Sequence, residues 1–455
     1  MGGPMTGNLK GGAGGARITP PIGFPMGGYG ARDHGAEGVH DHLNTHTLFL
    51  DDGTTQVVII SSDLLGMKEQ QVARVRELVQ TATGVPAANV FLAFSHTHGG
   101  PLMYSSFSEL DAGLSAYIET VSHYMAGAAL QAVRAATPIR WGKGRQPLQV
   151  GANRRERQAD GTTRIGVNPD GPVAPWVDVL WFEHVDGTPL VTIYQHAAHG
   201  TCLVGDNYLW TADWMGAAMR LIESELVGST ALFVNGCAGN INPHPRGTFQ
   251  LAGDHGTRAG SAVLQAIAGM SDLRDSGRLR CARHTFELPL EPMPSQAECE
   301  RDLAEWEPKY RELAGDHHRD WRTCRHYFAA QERLEALRTG TVSEGLPMDV
   351  QVVALDEVAL VGLPGEIFVE TGFAIAEASP FELTLPVGYA NGSIGYVPTS
   401  EEVPYGGYEV LDARARHQGR RLRDDADRVL TQGAVRSLEI ASNSYTSRQR
   451  SADQS

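Results

Sequence analysis

Two histidines in the segment FSHTHGGP (residues 94–101) have the residue type and spacing of a metal site. They follow the apolar run VFLAF, which predicts a buried β-strand. In an extended backbone, side chains two residues apart point to the same side, so His96 and His98 are expected to face one pocket. Neutral imidazole is a common zinc ligand, and the following Gly-Gly-Pro turn lets the chain leave the pocket sharply. By itself a His-x-His pair is equally typical of surface or hydrogen-bonded histidines.

A second pair of histidines, His196 and His199, follows the apolar run VTIYQ in the segment YQHAAHGT. Ligands of open α/β sheets bind beyond the carboxyl ends of the strands, so this pair is also placed for a site. One of the two histidines is expected to be structural.

A carboxylate and three phenols complete the set of candidate groups. Glu366 follows an apolar strand and a Pro-Gly turn. From there it either points into a cleft or, as the residues alone slightly favour, lies as an acidic residue at the N-terminus of the next helix. Tyr396, Tyr405 and Tyr408 lie in the Gly-rich loop 391–410, where tyrosines are commonly packing anchors.

The elements that position these groups alternate between apolar, β-branched runs and stretches with helical periodicity. This pattern predicts an α/β fold of mixed β-sheets packed with helices. The charged segment 295–339 predicts a helical hairpin, and its composition favours a solvated insertion over a lid. The Gly-rich segment 1–16 and the polar tail 443–455 are predicted to be flexible, which leaves one large domain over residues 17–442.

The chain is acidic, with 53 Asp and Glu residues against 38 Lys and Arg and a formal net charge of −15. This charge argues against binding nucleic acid or an anionic membrane surface and favours a neutral or cationic small-molecule substrate. There is no apolar run of about 18 residues to span a membrane and no signal-peptide pattern, so a cytoplasmic protein is expected. Five cysteines without a CxxC pair argue against a disulfide framework or a cysteine-based zinc site. A homo-oligomer is compatible with the sequence.

Several segments, in this order along the chain, resemble the neutral/alkaline non-lysosomal ceramidase family. The matching segments are RITPPIGFPMGGYG (17–30), SHTHGGP (95–101), NRR (153–155), HAAHGT with TADWMG (196–216), NGCAGNINP (235–243), LPGE (363–366) and GYVPTSEE with GGYEV (395–410). Each motif alone is modest, but their ordered occurrence over nearly the whole chain is specific.

The resemblance implies a zinc ion (Zn²⁺) bound by His96, His199, Glu366 and Tyr396. It further implies that His98, Arg154 and Tyr408 line the pocket, where they position substrate or stabilise charge. Four protein ligands with room for water form an open catalytic site, so the resemblance implies hydrolysis of an amide.

Two departures from the family bear on the substrate. Asn242 stands where ceramidases carry a serine thought to take part in catalysis. An amide cannot be a nucleophile, although it can donate a hydrogen bond to an oxyanion. The sequence also leaves no room for the family's C-terminal β-sandwich domain, so a short family member is expected. Both departures argue against ceramide itself as the substrate.

The leading hypothesis is therefore a zinc-dependent hydrolase that acts on an amide or related acyl bond of a soluble substrate. An ester, a lactone or a carbohydrate derivative is an alternative substrate for the same site, and a non-catalytic binding module with a degenerate site is an alternative function. A two-metal phosphoesterase would need further carboxylates near Asp63 and Asp213, which are more simply capping or supporting residues.

Overall fold

The computed structural model describes residues 9–104, 110, 112–313 and 320–443. The helices are α1 Glu69–Thr83, α2 Ala112–Arg134, α3 Asp213–Glu225, α4 Phe249–Ala268, α5 Gln296–Glu312, α6 Trp321–Thr339, α7 Val369–Glu377 and α8 Ala426–Asn443. The strands are β1 Lys10–Arg17, β2 Gly38–Val39, β3 Asn44–Asp51, β4 Gln56–Ser62, β5 Val90–Phe94, β6 Thr137–Pro147, β7 Gly151–Arg157, β8 Thr163–Asn168, β9 Trp176–His184, β10 Pro189–His196, β11 Leu209–Trp210, β12 Thr230–Asn235, β13 Ile241–Pro243, β14 Leu279–Pro289, β15 Gly345–Leu355, β16 Val358–Gly362, β17 Glu366–Ile367, β18 Leu383–Val387, β19 Tyr396–Val397, β20 Arg416–His417 and β21 Arg420–Arg421.

An eight-stranded sheet in the order β12-β10-β9-β6-β1-β3-β4-β5 forms the centre of the fold. The pairs β4·β5 and β10·β12 are parallel and the other pairs are antiparallel, so the sheet is mixed. Alternate residues of β4 point to opposite faces. Val58 and Ile60 join a core with residues of α1, α2, α3 and α4, whereas Val57 and Ile59 join a core with the second sheet.

The second sheet, in the order β14-β15-β16-β18, packs against the free face of the central sheet. Its own outer face is covered by α7 and α8, whose Ile375, Leu430 and Leu438 pack with Val350 and Val352 of β15. The layers are therefore helix, sheet, sheet and helix, and the predicted fold of mixed sheets packed with helices is confirmed.

The Gly-rich N-terminal segment is structured from Lys10 onward, so the prediction of a flexible segment 1–16 is wrong for residues 10–16. These residues form β1, which pairs with β3 along its whole length. A Cβ atom at Gly12 would lie 2.1 Å from the Ala132 carbonyl oxygen, and one at Gly14 would lie 2.1 Å from that of Ala128. The glycines are there because the backbone of α2 lies directly on the strand. Residues 1–8 and 444–455 lie outside the described residues.

The predicted helical hairpin at 295–339 is present as α5 and α6, which pack against each other. Tyr310 of α5 stacks on Tyr327 of α6, with ring centroids 4.1 Å apart. Nowhere in the described parts of the chain is there a helix both long and apolar enough to cross a membrane.

Candidate metal centre

The two histidines after β5 face the same site, as predicted, but the backbone is not extended. His96 has a φ of 60°, in the left-handed region. Its Nδ1 lies 2.6 Å from the Leu65 carbonyl oxygen, so Nδ1 carries the proton and Nε2 presents a lone pair to the site. Nε2 of His98 lies 3.4 Å from Nε2 of His96. The turn at His96, rather than strand alternation, brings the two rings together.

His199 enters the site from the loop after β10. Its Nδ1 lies 2.6 Å from the Ala238 carbonyl oxygen and 3.1 Å from that of Ile241, which fixes the proton on Nδ1. His196 is structural, as predicted for one member of this pair. Its Nδ1 donates to the Trp176 carbonyl oxygen and its Nε2 accepts from the Val150 amide.

Glu366 and Tyr396 enter the site side by side. They are Cα partners in the parallel pair β17·β19. Glu366 lies before α7 rather than at its N-terminus, since the helix begins at Val369 and the acid of its first turn is Glu370. The interpretation of Glu366 as a helix-terminal acid, which the residues alone favoured, is therefore wrong.

The spacing of the donor atoms fits a tetrahedral metal ion. Oε2 of Glu366 lies 3.3 Å from Nε2 of His96 and 3.2 Å from Nε2 of His199, and the Tyr396 hydroxyl lies 3.3 Å from Nε2 of His199. Zinc bonds of about 2.0–2.1 Å place tetrahedral ligand atoms about 3.3–3.4 Å apart. Nitrogens of His96, His98 and His199 also lie within 4.8 Å of one another, so His98 is a further nitrogen that a metal could reach.

The charges at the site also fit a cation. Burial raises the pKa of Glu366, but His96 and His199 hold it well below its usual range, so the carboxylate is ionised. Burial, helped by Arg154, lowers the pKa of His199 to about 4, so its ring is neutral. The lone pair of the neutral His199 ring thus faces an anionic oxygen. A cation between them removes this repulsion, and the residues fit a zinc ion.

Arg154 binds the donor groups from the side of β7. Its Nη2 donates to the Tyr396 hydroxyl at 2.9 Å, and its Nη1 lies 3.2 Å from Oδ1 of Asn242 and 3.3 Å from Nε2 of His199. Its Nε donates to Glu409 at 2.7 Å. All three guanidinium nitrogens of Arg154 therefore have protein partners.

Asn242 lies on β13, beside β7. Its Oδ1 accepts hydrogen bonds from Arg154 and from the Thr201 hydroxyl. The amide nitrogen of Asn242, which can donate hydrogen bonds, therefore points away from Arg154 and Thr201.

Tyr408 lies on a short π-helical turn at Tyr408–Asp412, with its ring 5.6 Å from that of Tyr396. On its other side it contacts Trp321 of α6, at 6.2 Å between ring centroids. Tyr408, Glu366 and Tyr396 line a cavity of about 400 Å³, and Arg325 and Phe328 of α6 are also part of its lining. The helical insertion therefore forms a wall of the site, and the interpretation of it as merely solvated surface is wrong.

The carboxylates considered for a two-metal site have structural partners instead. Oδ2 of Asp63 accepts from the Asn44 amide, and Asp213 accepts from the amides of Cys202, Leu203 and Trp214. Within the described ranges, the three histidines are the one group of His, Cys, Asp and Glu side chains arranged to hold a metal.

Two residues of the site were not predicted from the sequence. Tyr389 stacks on His96 with ring centroids 4.0 Å apart, and its hydroxyl lies 3.4 Å from Nδ1 of His199. Glu409 binds both Arg154 and Arg155 through its two oxygens. A signal for Glu409 existed, because it is the one acid in the GGYEV segment and two consecutive arginines in the NRR segment need a counter-charge.

The fold and the donor set define an α/β protein with a buried centre that can hold a divalent metal. A protein-family model described as "Neutral/alkaline non-lysosomal ceramidase, N-terminal" matches residues 10–257. Because this match covers more than half of the chain, the chain belongs to that family. Glu366 and Tyr396 lie beyond the matched residues.

Relatives agree with this assignment. Neutral ceramidase B of Dictyostelium discoideum is 25% identical over 225 residues, which cover 44% of this chain and 30% of that protein. The crystal structure of neutral ceramidase from Pseudomonas aeruginosa matches with a TM-score of 0.70 and 18% identity, over 95% of this chain and 75% of the other. A structure described as ceramidase complexed with C2 matches over the same shares with a TM-score of 0.71 and 18% identity. At this identity the structural matches establish the fold.

Proposed function

We propose that this chain is a zinc-dependent hydrolase in which His96, His199, Glu366 and Tyr396 hold the ion. The observation that carries the proposal is the convergence of Nε2 of His96 and Nε2 of His199 on the ionised Glu366 carboxylate, at 3.3 Å and 3.2 Å. Backbone carbonyls fix both histidine tautomers, so a cation is the simplest partner for all three groups. Family membership supports a hydrolase.

A bound zinc ion would lower the pKa of a water molecule towards neutrality and polarise a substrate carbonyl. We propose that His98 accepts the proton of the attacking water. Burial, with His96 and His199 nearby, holds the pKa of His98 well below its usual value, so its ring is neutral and can act as a base. Within the part of the chain that the structure describes, its Nδ1 is buried without a hydrogen-bond partner.

Arg154 and Asn242 would act on the oxygens of the site. Because its three nitrogens bind protein groups, Arg154 is proposed to orient Tyr396 and stabilise negative charge on that phenol rather than to grip the substrate. The amide nitrogen of Asn242 is proposed to donate to the oxyanion that forms from the carbonyl. Tyr408 would contact the substrate on the cavity side.

The proposed bond is an amide or a related acyl bond, in a substrate other than ceramide. The names of the relatives point to ceramide for those proteins. Asn242 at the position of the expected serine and a cavity with charged walls support a more polar substrate here. Esters, lactones and acylated carbohydrates belong in the same test.

Metal analysis together with activity tests the proposal. Purified protein is expected to contain about one zinc ion per chain and to hydrolyse one member of a panel of amides, esters and lactones. A chelator should abolish this activity and added zinc should restore it. His96→Ala and His199→Ala should lose both metal and activity. Activity that persists in these variants would rule the mechanism out.

A further inference from the structure

The cavity beside the metal centre has an unusual charge for an acidic protein. Its charged lining residues are Lys68, Arg325, Arg414, Arg416, Glu332 and Glu366. Arg414 binds Asp424 at 3.0 Å, and Glu366 faces the two histidines. Glu332 is solvent-exposed. Lys68, Arg325 and Arg416 therefore outnumber Glu332, the one remaining carboxylate of this wall.

Lys68, Arg325 and Arg416 have no carboxylate within ion-pair distance in the described part of the chain. Lys68 donates to the Ser393 carbonyl oxygen at 3.1 Å and lies over the ring of Tyr104. Among the described residues, the side chain of Arg416 donates only to the Leu411 carbonyl oxygen, at 3.4 Å, and its Nε is buried without a partner. The Nε of Arg325 is likewise buried and has no hydrogen-bond partner in the described ranges.

Arg325 repels both Lys68 and Arg416. Burial and the charge of Arg325 both lower the pKa of Lys68. Burial and Arg325 also lower the pKa of Arg416, to about 10. Holding like charges together in a partly buried cavity costs free energy unless an anion compensates them. Elsewhere in this chain, buried arginines such as Arg154 and Arg155 have such a compensating carboxylate.

We propose that this cavity binds an anionic group of the substrate, a carboxylate or a phosphate, through Lys68, Arg325 and Arg416. An arginine fork can bind two oxygens of a carboxylate or of a phosphate at once. The cavity of about 400 Å³ is contiguous with Glu366 and Tyr396, so the anion would lie on the part of a small molecule beyond the scissile bond. The inference rests on the proposed function for the cleaved bond, but the anion site itself requires only binding.

Binding of uncleavable analogues tests the anion site without hydrolysis. The probes are N-(hexanesulfonyl)ethanolamine, which is neutral, its O-phosphate, and N-(hexanesulfonyl)glycine. Calorimetric titration of the zinc-loaded chain should show at least one anionic probe binding about tenfold more tightly than the neutral one, with the advantage falling as salt rises. Whichever of the two anionic probes binds more tightly shows whether the cavity prefers a phosphate or a carboxylate. Equal affinity for all three probes would overturn the inference.

Variants locate the effect. Arg325→Gln and, separately, Lys68→Gln should each remove most of the preference for the anion while leaving the neutral probe unaffected. Arg338→Gln is the matched control, since Arg338 lies on the same helix with 72% of its side chain exposed and pairs with Glu335. A preference unchanged in both cavity variants would contradict the proposal. If chelation leaves hydrolysis intact while the preference persists, the proposed zinc mechanism fails and the anion site stands.

Discussion

Glu366 and Tyr396 are direct partners in a two-residue parallel ladder, and both side chains reach His199. One short strand pair thus supplies an anionic and a phenolic donor at a fixed separation. The ladder is held by the amide of Glu366, which donates to the Gly395 carbonyl oxygen at 3.0 Å. Because the backbone fixes both residues, the separation of these two donors is set by the ladder.

Removing either donor of this ladder is expected to weaken zinc binding. Glu366→Gln loses the negative charge and should reduce zinc affinity by more than about 100-fold, beyond the 10–100-fold typical of supporting residues. Tyr396→Phe should also reduce affinity, by a smaller factor. Competition with a chromophoric chelator measures both. Tyr405→Phe, at a tyrosine 40% exposed in the same loop, is the control and should bind zinc normally. Unchanged affinity in Glu366→Gln would refute its role as a ligand.

His98 has a different expected phenotype. If it is the proton acceptor, His98→Asn should retain zinc and lose about 10²–10⁴-fold in kcat. Zinc content and steady-state kinetics on the same sample measure the two effects. Loss of zinc together with activity would instead make His98 a ligand, in keeping with its distance of 3.4 Å from Nε2 of His96.

Much of the centre could be predicted from the sequence because its parts follow strands. His96, His98 and His199 lie directly beyond β5 and β10, where strand ends expose side chains to a site. The layered fold followed from the alternation of apolar runs and helical periodicity. The grouping of Glu366 and Tyr396 came from the family resemblance, since a two-residue ladder leaves no periodicity to read.

Other features depend on tertiary contacts, which local sequence patterns do not reveal. The Gly-rich start resembles a flexible segment in composition, yet its glycines are required by the approach of α2. Tyr389 supports His96 by stacking, and its sequence neighbours Gly388 and Ala390 give no sign of that role. Likewise, the charged helix α6 has the composition of a solvated surface, but the fold turns Arg325 into the cavity.

Breaking the Glu409 ion pairs is expected to destabilise the fold. Glu409 is 1% exposed and binds Arg154 and Arg155 at 2.7 Å each. Glu409→Gln leaves two buried guanidinium groups without this counter-charge, and a loss of about 3 kcal/mol in unfolding free energy is expected. Urea unfolding measures the loss. Glu401→Gln, which removes an exposed pair with Arg428, should leave the unfolding free energy nearly unchanged. Equal effects of the two changes would contradict the network.

Asp63 should make stability depend on pH. Burial raises its pKa from 3.8 to about 7, while its Oδ2 accepts a hydrogen bond from the Asn44 amide. The folded state therefore holds a proton that the unfolded chain releases above pH 3.8. The associated stability is complete below that pH and is lost as pH rises to about 7, a change on the order of 2–4 kcal/mol.

Asp63→Asn keeps the hydrogen-bond acceptor and should remove this slope of unfolding free energy against pH. The unfolding free energies from urea at pH 5 and pH 8 should therefore differ less in the variant than in the parent. The same change at exposed Asp206 should leave the slope intact. A slope that survives Asp63→Asn would assign the pH dependence to another group, such as Asp213, whose pKa burial raises to about 6.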